Sequence, residues 1–591
     1  MAAGEGLSLS TEVEDQPPPP SSSPPTSGRK KRGGWRAIKY ILGNESFEKL
    51  ASMSLIANIT VYLHTRYNLE GVMLVNVVQI WSGTCNIMTL FGAFLSDAYL
   101  GRFNTLLFGS IASLLGMATF TMTAGVSEVA PTPCPTAENC EQAQNWQLAI
   151  LFGGLALLAI GAGGIRPCNI AFGADQFDTT TKKGRAQLES FFNWWYFSFT
   201  VTLVIALTAV VYIQSNVSWV VGFAIPTACL AISITIFLFG QHTYIYHEPK
   251  GSVFVDVVKV SVAAFHKRKE KVDENNWRSC LYDPELDELR AKTEKLEHSS
   301  GMFACLDKAA LIKNPAEELD EQGKPKDKWR LCSVQQVEQL KGLVGIAPVW
   351  ITAIGIFLTM DQQSIFGILQ AIQMDRKIGS SFEVPPGWMG LTSMLALSLW
   401  ILLYEQLYIP QAKKITKKDG RMTMRLRINL GILMSIICMI VAGIIEKKRR
   451  STALQNHTFG SPMRVGWLLP QFILSGMVEA FGAVAIMEYF TVTLPDTMRT
   501  IAGSIFFLSI SIGSYTSSLI VTIVHRLTGW VGNHDLNEDK LERYYAIVAC
   551  IALLNLVYFN VYGCKYLSPC NKISDSHEPE EENSSRSRHS S

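Results

Sequence analysis

Charge is what this sequence has least of. Only 17% of its 591 residues are Asp, Glu, Lys or Arg, against about 25% in an average soluble domain. A water-facing surface for a chain of this length needs more, so a soluble enzyme is excluded. No Gly-rich run ends in Gly-Lys-Ser/Thr, so the phosphate-binding loop of an ATP-driven pump is missing. The ten histidines are scattered, and no His/Cys spacing suggests a metal; no cofactor is expected. The twelve cysteines mostly stand alone inside apolar runs, where a thiol acts as a small hydrophobe. Cys134 and Cys140 are the exception: they share a polar, proline-rich loop and form the candidate disulfide. No signal-peptide pattern opens the chain, and residues 1–28, rich in Pro, Ser and Glu, read as disordered. A net charge of +2 gives no reason to expect nucleic acid.

What the chain does have is apolar length. Hydrophobic residues make up 48%, gathered in about twelve runs of about 20 residues, the helix length that crosses a ~30 Å hydrocarbon layer. The pattern predicts an all-α membrane protein of two six-helix halves. Its expected parts are a disordered cytosolic tail over 1–38, a bundle over 39–241, a polar cytosolic linker over 242–336, a second bundle over 337–566 and a disordered tail over 567–591. Lys and Arg crowd the N-terminal flank (Arg29, Lys30, Lys31, Arg32, Arg36, Lys39), Arg102, Lys182 to Arg185, and Lys413 to Arg421. Twelve spans put all of these on one side, which the positive-inside bias makes cytosolic. Lys447 to Arg450, with Arg376 and Lys377, break the pattern by falling outside.

Two such halves joined by a cytosolic loop are the outline of a secondary transporter with substrate at the midplane. Charges inside the spans are the informative residues, because each costs at least ~2.5–3.5 kcal/mol at a helix centre. Glu45, Glu48 and Lys49 share one helix face. Either they exchange a proton as their pairing changes, or they are a salt-bridged helix end in the cytosol. Arg166 follows Gly161, Gly163 and Gly164 and precedes Pro167. It requires a carboxylate, Glu45 or Glu48, unless it snorkels to the interface. Glu479 and Glu488 lie nine residues apart, about 900° on a straight helix and so on opposite faces. Glu488, beside Met487 and Tyr489, is the preferred substrate-facing acid, with structural pairing as the alternative. In Gly92-Ala-Phe-Leu-Ser-Asp97-Ala-Tyr-Leu-Gly101-Arg102, the glycines permit a tight cytosolic turn, and Asp97 with Arg102 reads as a conformational latch. Asn456-His-Thr458 is a glycosylation sequon on the outer side.

These motifs resemble the plant nitrate/peptide transporter family, the plant branch of the proton-coupled oligopeptide transporters in the major facilitator superfamily. The likeness runs from about Gly33 to Tyr566. Glu45-Ser-Phe-Glu48-Lys49 is similar to the family's proton-coupling motif. Gly161 to Asp178 and Phe191 to Tyr196 are similar to its signature stretches, Gly92 to Arg102 to the superfamily's loop motif, and Phe303 to Ala310 to a segment of the central loop. Arg166 to Gln176 and Val211 to Trp219 resemble a subfamily holding low-affinity nitrate carriers and carriers of glucosides such as glucosinolates.

The resemblance implies the major facilitator fold, with Arg166 pairing with the first-helix carboxylates and Glu488 binding substrate or bridging the halves. Thr105 matches a phosphorylated Thr of a dual-affinity nitrate transporter, with a kinase on cytosolic segments as the implied partner. Met360 stands where that transporter has a substrate-binding His, which puts a nitrate site of that kind in doubt. A glucoside needs a cavity with aromatic and amide walls, for which Trp194, Trp195, Tyr196, Gln362 and Gln363 are candidates; helix packing is the other reading of the aromatics. The expected activity is proton-coupled symport of nitrate or a glycosylated metabolite by alternating access, at the plasma membrane rather than the vacuolar one, without chemistry on the substrate. An oligopeptide or phytohormone carrier is the alternative within the family; a passive anion channel and a non-transporting nutrient receptor are the rivals outside it.

Overall fold

The computed structural model describes residues 33–69, 71–132, 141–178, 181–247, 253–268, 281–283, 304–321, 323–379, 382–416, 420–494 and 499–567. The first half contains α1 (Trp35–Thr65), α2 (Gly71–Leu95), α3 (Gly101–Gly125), α4 (Asn145–Ala174), α5 (Lys182–Ile205) and α6 (Trp219–Phe239). Between the halves lie α7 (Val253–His266) and α8 (Val334–Gly345). The second half contains α9 (Ala347–Ile372), α10 (Trp388–Leu403), α11 (Met424–Asn456), α12 (Leu469–Val478), α13 (Val484–Thr493), α14 (Arg499–Thr528) and α15 (Leu541–Val561). A π-bulge at Glu479–Ala483 joins α12 to α13, making them one span.

Among the described residues, ten helical stretches are long and apolar enough to cross a bilayer. One of them, Gly71–Gly125, has 55 residues and counts twice. It breaks at Gly101, whose φ of +75° is strained for any residue with a Cβ. With α1, whose buried face carries Asn44, Glu45, Glu48 and Asn58, the total is the expected twelve.

Small residues set the packing of the first half. A Cβ on Gly92 of α2 would fall on the Gly163 carbonyl of α4, so the two backbones touch. This corrects the reading of Gly92 as a turn residue. It lies inside α2, and the turn depends on Gly101.

The linker holds more structure than its polarity suggests. Val260, Ala263, Ala309, Ala310, Cys332, Val337 and Leu340 form a small apolar core between α7 and α8. Ser333 and Gln336 cap α8 reciprocally. Lys341 is buried between Asp307 (2.6 Å) and Glu338 (2.9 Å).

Four of the six cations that break the charge rule are tied into the fold. Arg449 is fully buried. It bonds both oxygens of Glu446 (2.8 and 2.9 Å) and reaches Asn537 (3.0 Å) and Gln373 (3.4 Å). Gln370 closes the network by donating to Glu446 (2.8 Å). Arg450 donates to the Asn537 carbonyl, Lys448 lies 3.8 Å above the Trp467 ring, and Arg376 meets Glu383 at 2.6 Å. Most of these cations are structural ties, which the positive-inside rule does not describe.

The halves meet along an outer seam. Asn76 of α2 donates to Thr522 and accepts from Ser518 of α14 (2.9 and 2.7 Å), Thr84 meets Tyr515 at 3.0 Å, and Ser511 donates to the Gly83 carbonyl (2.8 Å). Asn216 donates to the Glu383 carbonyl across the same seam (2.7 Å). At the Asp97 end, a cavity of about 140 Å³ separates Ala93, Asp97 and Ala171 of the first half from Ile501 and Phe507 of α14. The halves touch along the Asn76 seam and part at the Asp97 end.

Breaking a buried ion pair by removing one partner costs about 3–5 kcal/mol. Arg449→Met strands Glu446 and should lower the melting temperature in detergent markedly. Adding Glu446→Gln should restore much of the loss, and equal melting of the single variant and the parent would contradict the network's role.

Candidate functional site

The spacing of Glu45, Glu48 and Lys49 places them on one face of α1, and the fold buries that face. Glu45 is 2% and Glu48 5% exposed, so the triad is not a solvated helix end. Lys49 Nζ lies 3.5 Å from Glu48 and 3.9 Å from Glu45, attracted to both and hydrogen-bonded closely to neither. One oxygen of each carboxylate is buried with no hydrogen-bond partner. Two carboxylates therefore share one ammonium, and a single added proton makes the group neutral.

Arg166 does not pair with these acids. Its guanidinium donates to Asn86 of α2 at 3.0 Å, and no ion pair joins it to Glu45 or Glu48 among the described residues. The expected pairing is replaced by a small gap. Arg166 and Glu48 line one cavity of about 30 Å³ with Cys85, Ser113 and Trp81, room for one or two waters. Arg166 reaches from α4 to α2, while Glu48 brings the triad to that gap. Trp195 of α5 lies beside Glu45 and stacks on Phe199. Tyr196, one residue on, is 65% exposed and lines none of these cavities, contrary to the expected substrate wall.

The second half carries a different set. Gln362 is buried, donates to the Ser517 carbonyl (3.1 Å) and leaves its own oxygen unpartnered; Gln363 is buried with neither polar atom bonded. Met360 packs half-buried against the apolar core of Ile356, Phe357 and Ile505. Between them stands Asp361, bonded to Ser514 of α14. Asp361 is the sole ionisable residue in α9, midway along its 26 residues. Sequence reasoning passed over it, although a lone acid in an apolar run was its own signal.

Glu488 is correctly placed on the tenth span but is not free for substrate. It forms an ion pair with Arg427 near the start of α11. The straight-helix angle between Glu479 and Glu488 also fails, because the π-bulge begins at Glu479 and rotates everything after it. Glu479 sits at that bulge, deeper in the span than Glu488.

Residues 103–536 match the POT family (PTR2). The chain belongs to that family. Protein NRT1/PTR FAMILY 2.8 of Arabidopsis thaliana is 57% identical over 542 residues, which cover 90% of this chain and 96% of the relative. Protein NRT1/PTR FAMILY 2.13 of the same plant is 43% identical, over 89% and 86% respectively. The crystal structure of the POT family transporter PepTSo superposes with a TM-score of 0.65 over 90% of this chain and 98% of its own, at 18% identity. That likeness fixes the fold as a multi-pass major facilitator bundle. The family consists of transporters, so this POT-family chain moves a small molecule across a membrane and is not an enzyme.

The other expected sites of this transporter divide by exposure. In the loop motif, Arg102 holds Asp175 of the α4 end at 2.6 Å and lies 4.0 Å from Asp97, so its tighter tie is to α4. Thr105 is 4% exposed and donates to the Gly101 carbonyl (2.9 Å), while Gly164 of α4 packs against its backbone. A kinase has no access to it in this conformation. Asn456 is exposed at the end of α11, where His457 turns left-handed (φ +51°). Cys134 and Cys140 lie outside the described residues.

Thr105→Ala should therefore leave phosphate incorporation into the chain unchanged. Thr105→Glu, which buries an unpaired charge at a cost of several kcal/mol, should reduce the amount at the cell surface. Phosphopeptide mapping with surface biotinylation checks both, and a phosphate found on Thr105 contradicts the first.

Proposed function

We propose that this transporter is a proton-coupled symporter whose proton is carried by the Glu45–Glu48–Lys49 triad. The observation that carries the reading is the imbalance of two buried carboxylates against one ammonium. With the proton bound, the triad is neutral and α1 slides in apolar surroundings without an uncompensated charge. With the proton gone, the surplus negative charge draws on Arg166 across the water-sized gap, a tie between α1 and α4 that differs between states. A proton thus biases the equilibrium between inward- and outward-facing forms, which is all that coupling requires. Asp361 on the facing half is a second carboxylate available for the same exchange, held by Ser514 of α14, the helix that also forms the outer seam.

For the substrate, we favour a glycosylated plant metabolite over nitrate. Gln362 and Gln363 leave buried amide groups unpartnered on α9, the hydrogen-bonding equipment for a polyhydroxylated ligand once the halves part. Met360 offers an anion nothing. The plasma membrane is the proposed home, with the acidic cell exterior supplying the proton.

Glu45→Gln and Glu48→Gln should each cut acid-stimulated uptake by roughly 5- to 150-fold, the usual range of a linkage energy, at unchanged surface level. Uptake in oocytes of labelled nitrate, a dipeptide and a mixture of glucosides, each at acid and neutral pH, is the measurement. Full acid stimulation in both variants sinks the triad. Its loss in Asp361→Asn alone moves the proton to α9, unitary currents make the protein a channel, and binding without uptake makes it a receptor.

A further inference from the structure

The outer seal contains a titratable pair that the triad mechanism does not use. His64, in the last turn of α1, and His534, in the segment between α14 and α15, stack with ring centroids 4.6 Å apart and planes at 25°. One ring belongs to each half. His64 is 8% exposed, and Nδ1 of both rings is buried with no hydrogen-bond partner. A cavity of about 10 Å³, the space of a single water, lies against them, lined by His64, Gly71, Gln373, His534 and Asp539. A Cβ on Gly71 of α2 would strike Gly532, two residues before His534, so the backbones of the halves close directly over the stack.

We propose that His64 and His534 form an external proton-binding site, closed and neutral in the sealed state, that takes up protons as the outer side opens. Two charged imidazoles cannot remain face to face in a dry contact, whereas each separated ring is readily charged in water. A proton bound only in the open form pulls the equilibrium toward that form. For a histidine of ordinary pKa, about 6.5, one such proton favours opening about tenfold more at pH 5.5 than at pH 7.5, and two such protons about a hundredfold.

Most of the surrounding charges are already committed. Arg66 of α1 donates to the Pro131 carbonyl, His525 of α14 lies against the Val531 carbonyl, and Asp535 accepts from the Asn537 amide. Arg449 is held by Glu446, and Glu542 of α15 by Arg450; Tyr544 of α15 and Arg526 of α14 complete the set, while α2 and α9 bring no titratable side chain to the cavity. Asp539 needs separate treatment. It accepts from the Gly532 and Asn533 amides (3.1 and 3.2 Å), and burial pushes its carboxyl up to about 6. A raised carboxyl adds stability below the ordinary carboxylate range and loses it as pH rises through about 6. Its hydrogen-bond partners belong to its own segment and stay with it when the halves part, but the burial that raises it is lost as the cavity opens. A proton on Asp539 therefore favours the sealed form and opposes the histidines.

This inference rests on alternating access as proposed above, but not on Glu45 or Glu48. The test reads opening without transport. Ser518→Cys places a thiol in the α2–α14 seam, and a membrane-impermeant maleimide reports its exposure from outside. Each rate is divided by that of an always-exposed thiol, Gln455→Cys, which removes the reagent's own pH dependence. The ratio should rise by about ten- to a hundredfold from pH 7.5 to 5.5, and that rise should vanish in His64→Phe/His534→Phe, which keeps the stack but takes no proton. Asp539→Asn should keep the rise or steepen it. A parent ratio indifferent to pH, or a rise that survives in the double variant, overturns the proposal. If the double variant is absent from the surface, His534→Phe alone should show a rise about tenfold smaller than the parent's, and an unchanged rise overturns the proposal. A flat double variant with Glu45-dependent uptake intact separates this site from the triad.

Discussion

A carboxylate inside a bilayer must be paired or protonated, and the buried face of α1 carries two of them, Glu45 and Glu48, beside the single Lys49. That shortage of cations is the constraint around which the first half is organised. Satisfying it fully with a close guanidinium would fix α1 in one position, as Arg449 does for α11. Leaving it wholly unsatisfied would be too costly to fold. The structure sits between these limits: Lys49 lies at 3.5–3.9 Å from both acids, and Arg166 waits across a gap the size of one or two waters. A group poised in this way responds to a proton, because one added charge changes which arrangement is neutral.

The second half solves the same problem in the opposite way. Glu446, Arg449, Gln370, Gln373, Gln471 and Asn537 form a network in which each charge is bonded several times over. Such a network resists rearrangement, since any loosened member is left buried and unpaired. It therefore makes the outer end of α9, α11 and α12 behave as one body. Asp361 is the counterexample within that half, held by a single hydroxyl, Ser514 of α14.

How much of this could be read from residues depends on the distance over which each fact is decided. The triad was legible because three- and four-residue spacing is local geometry on a helix, and burial then removed the alternative of a solvated helix end. The twelve spans were legible because length and apolarity are additive along the chain. Partners were not. Arg166 to Asn86 and Arg427 to Glu488 join residues 80 and 61 positions apart, and nothing local distinguishes these pairings from others. Thr105 looked accessible near a helix start, but Gly164, on a different helix, lets α4 close over it. Glu479 was misjudged because a straight helix was assumed where a π-bulge intervenes. Asp361 is a different case: a lone acid in an apolar run of 26 residues is a signal legible from the sequence itself.

The seam between the halves shows why a molecule with so rigid a second half can still rock. Its side-chain hydrogen bonds are made by Asn76, Thr84, Asn216, Ser511, Tyr515, Ser518 and Thr522, all neutral groups. A neutral hydrogen bond contributes only about 0.5–1.5 kcal/mol net, since water replaces the lost partner. Parting this seam therefore trades each bond for an equivalent one to water, and no buried charge is stranded. The ion pairs described above lie within one half or the other, where motion does not break them. Coupling then needs only a small bias to choose between sealed and open forms. A proton at the α1 triad, or at an imidazole stack that closes the seam, supplies a bias of that order.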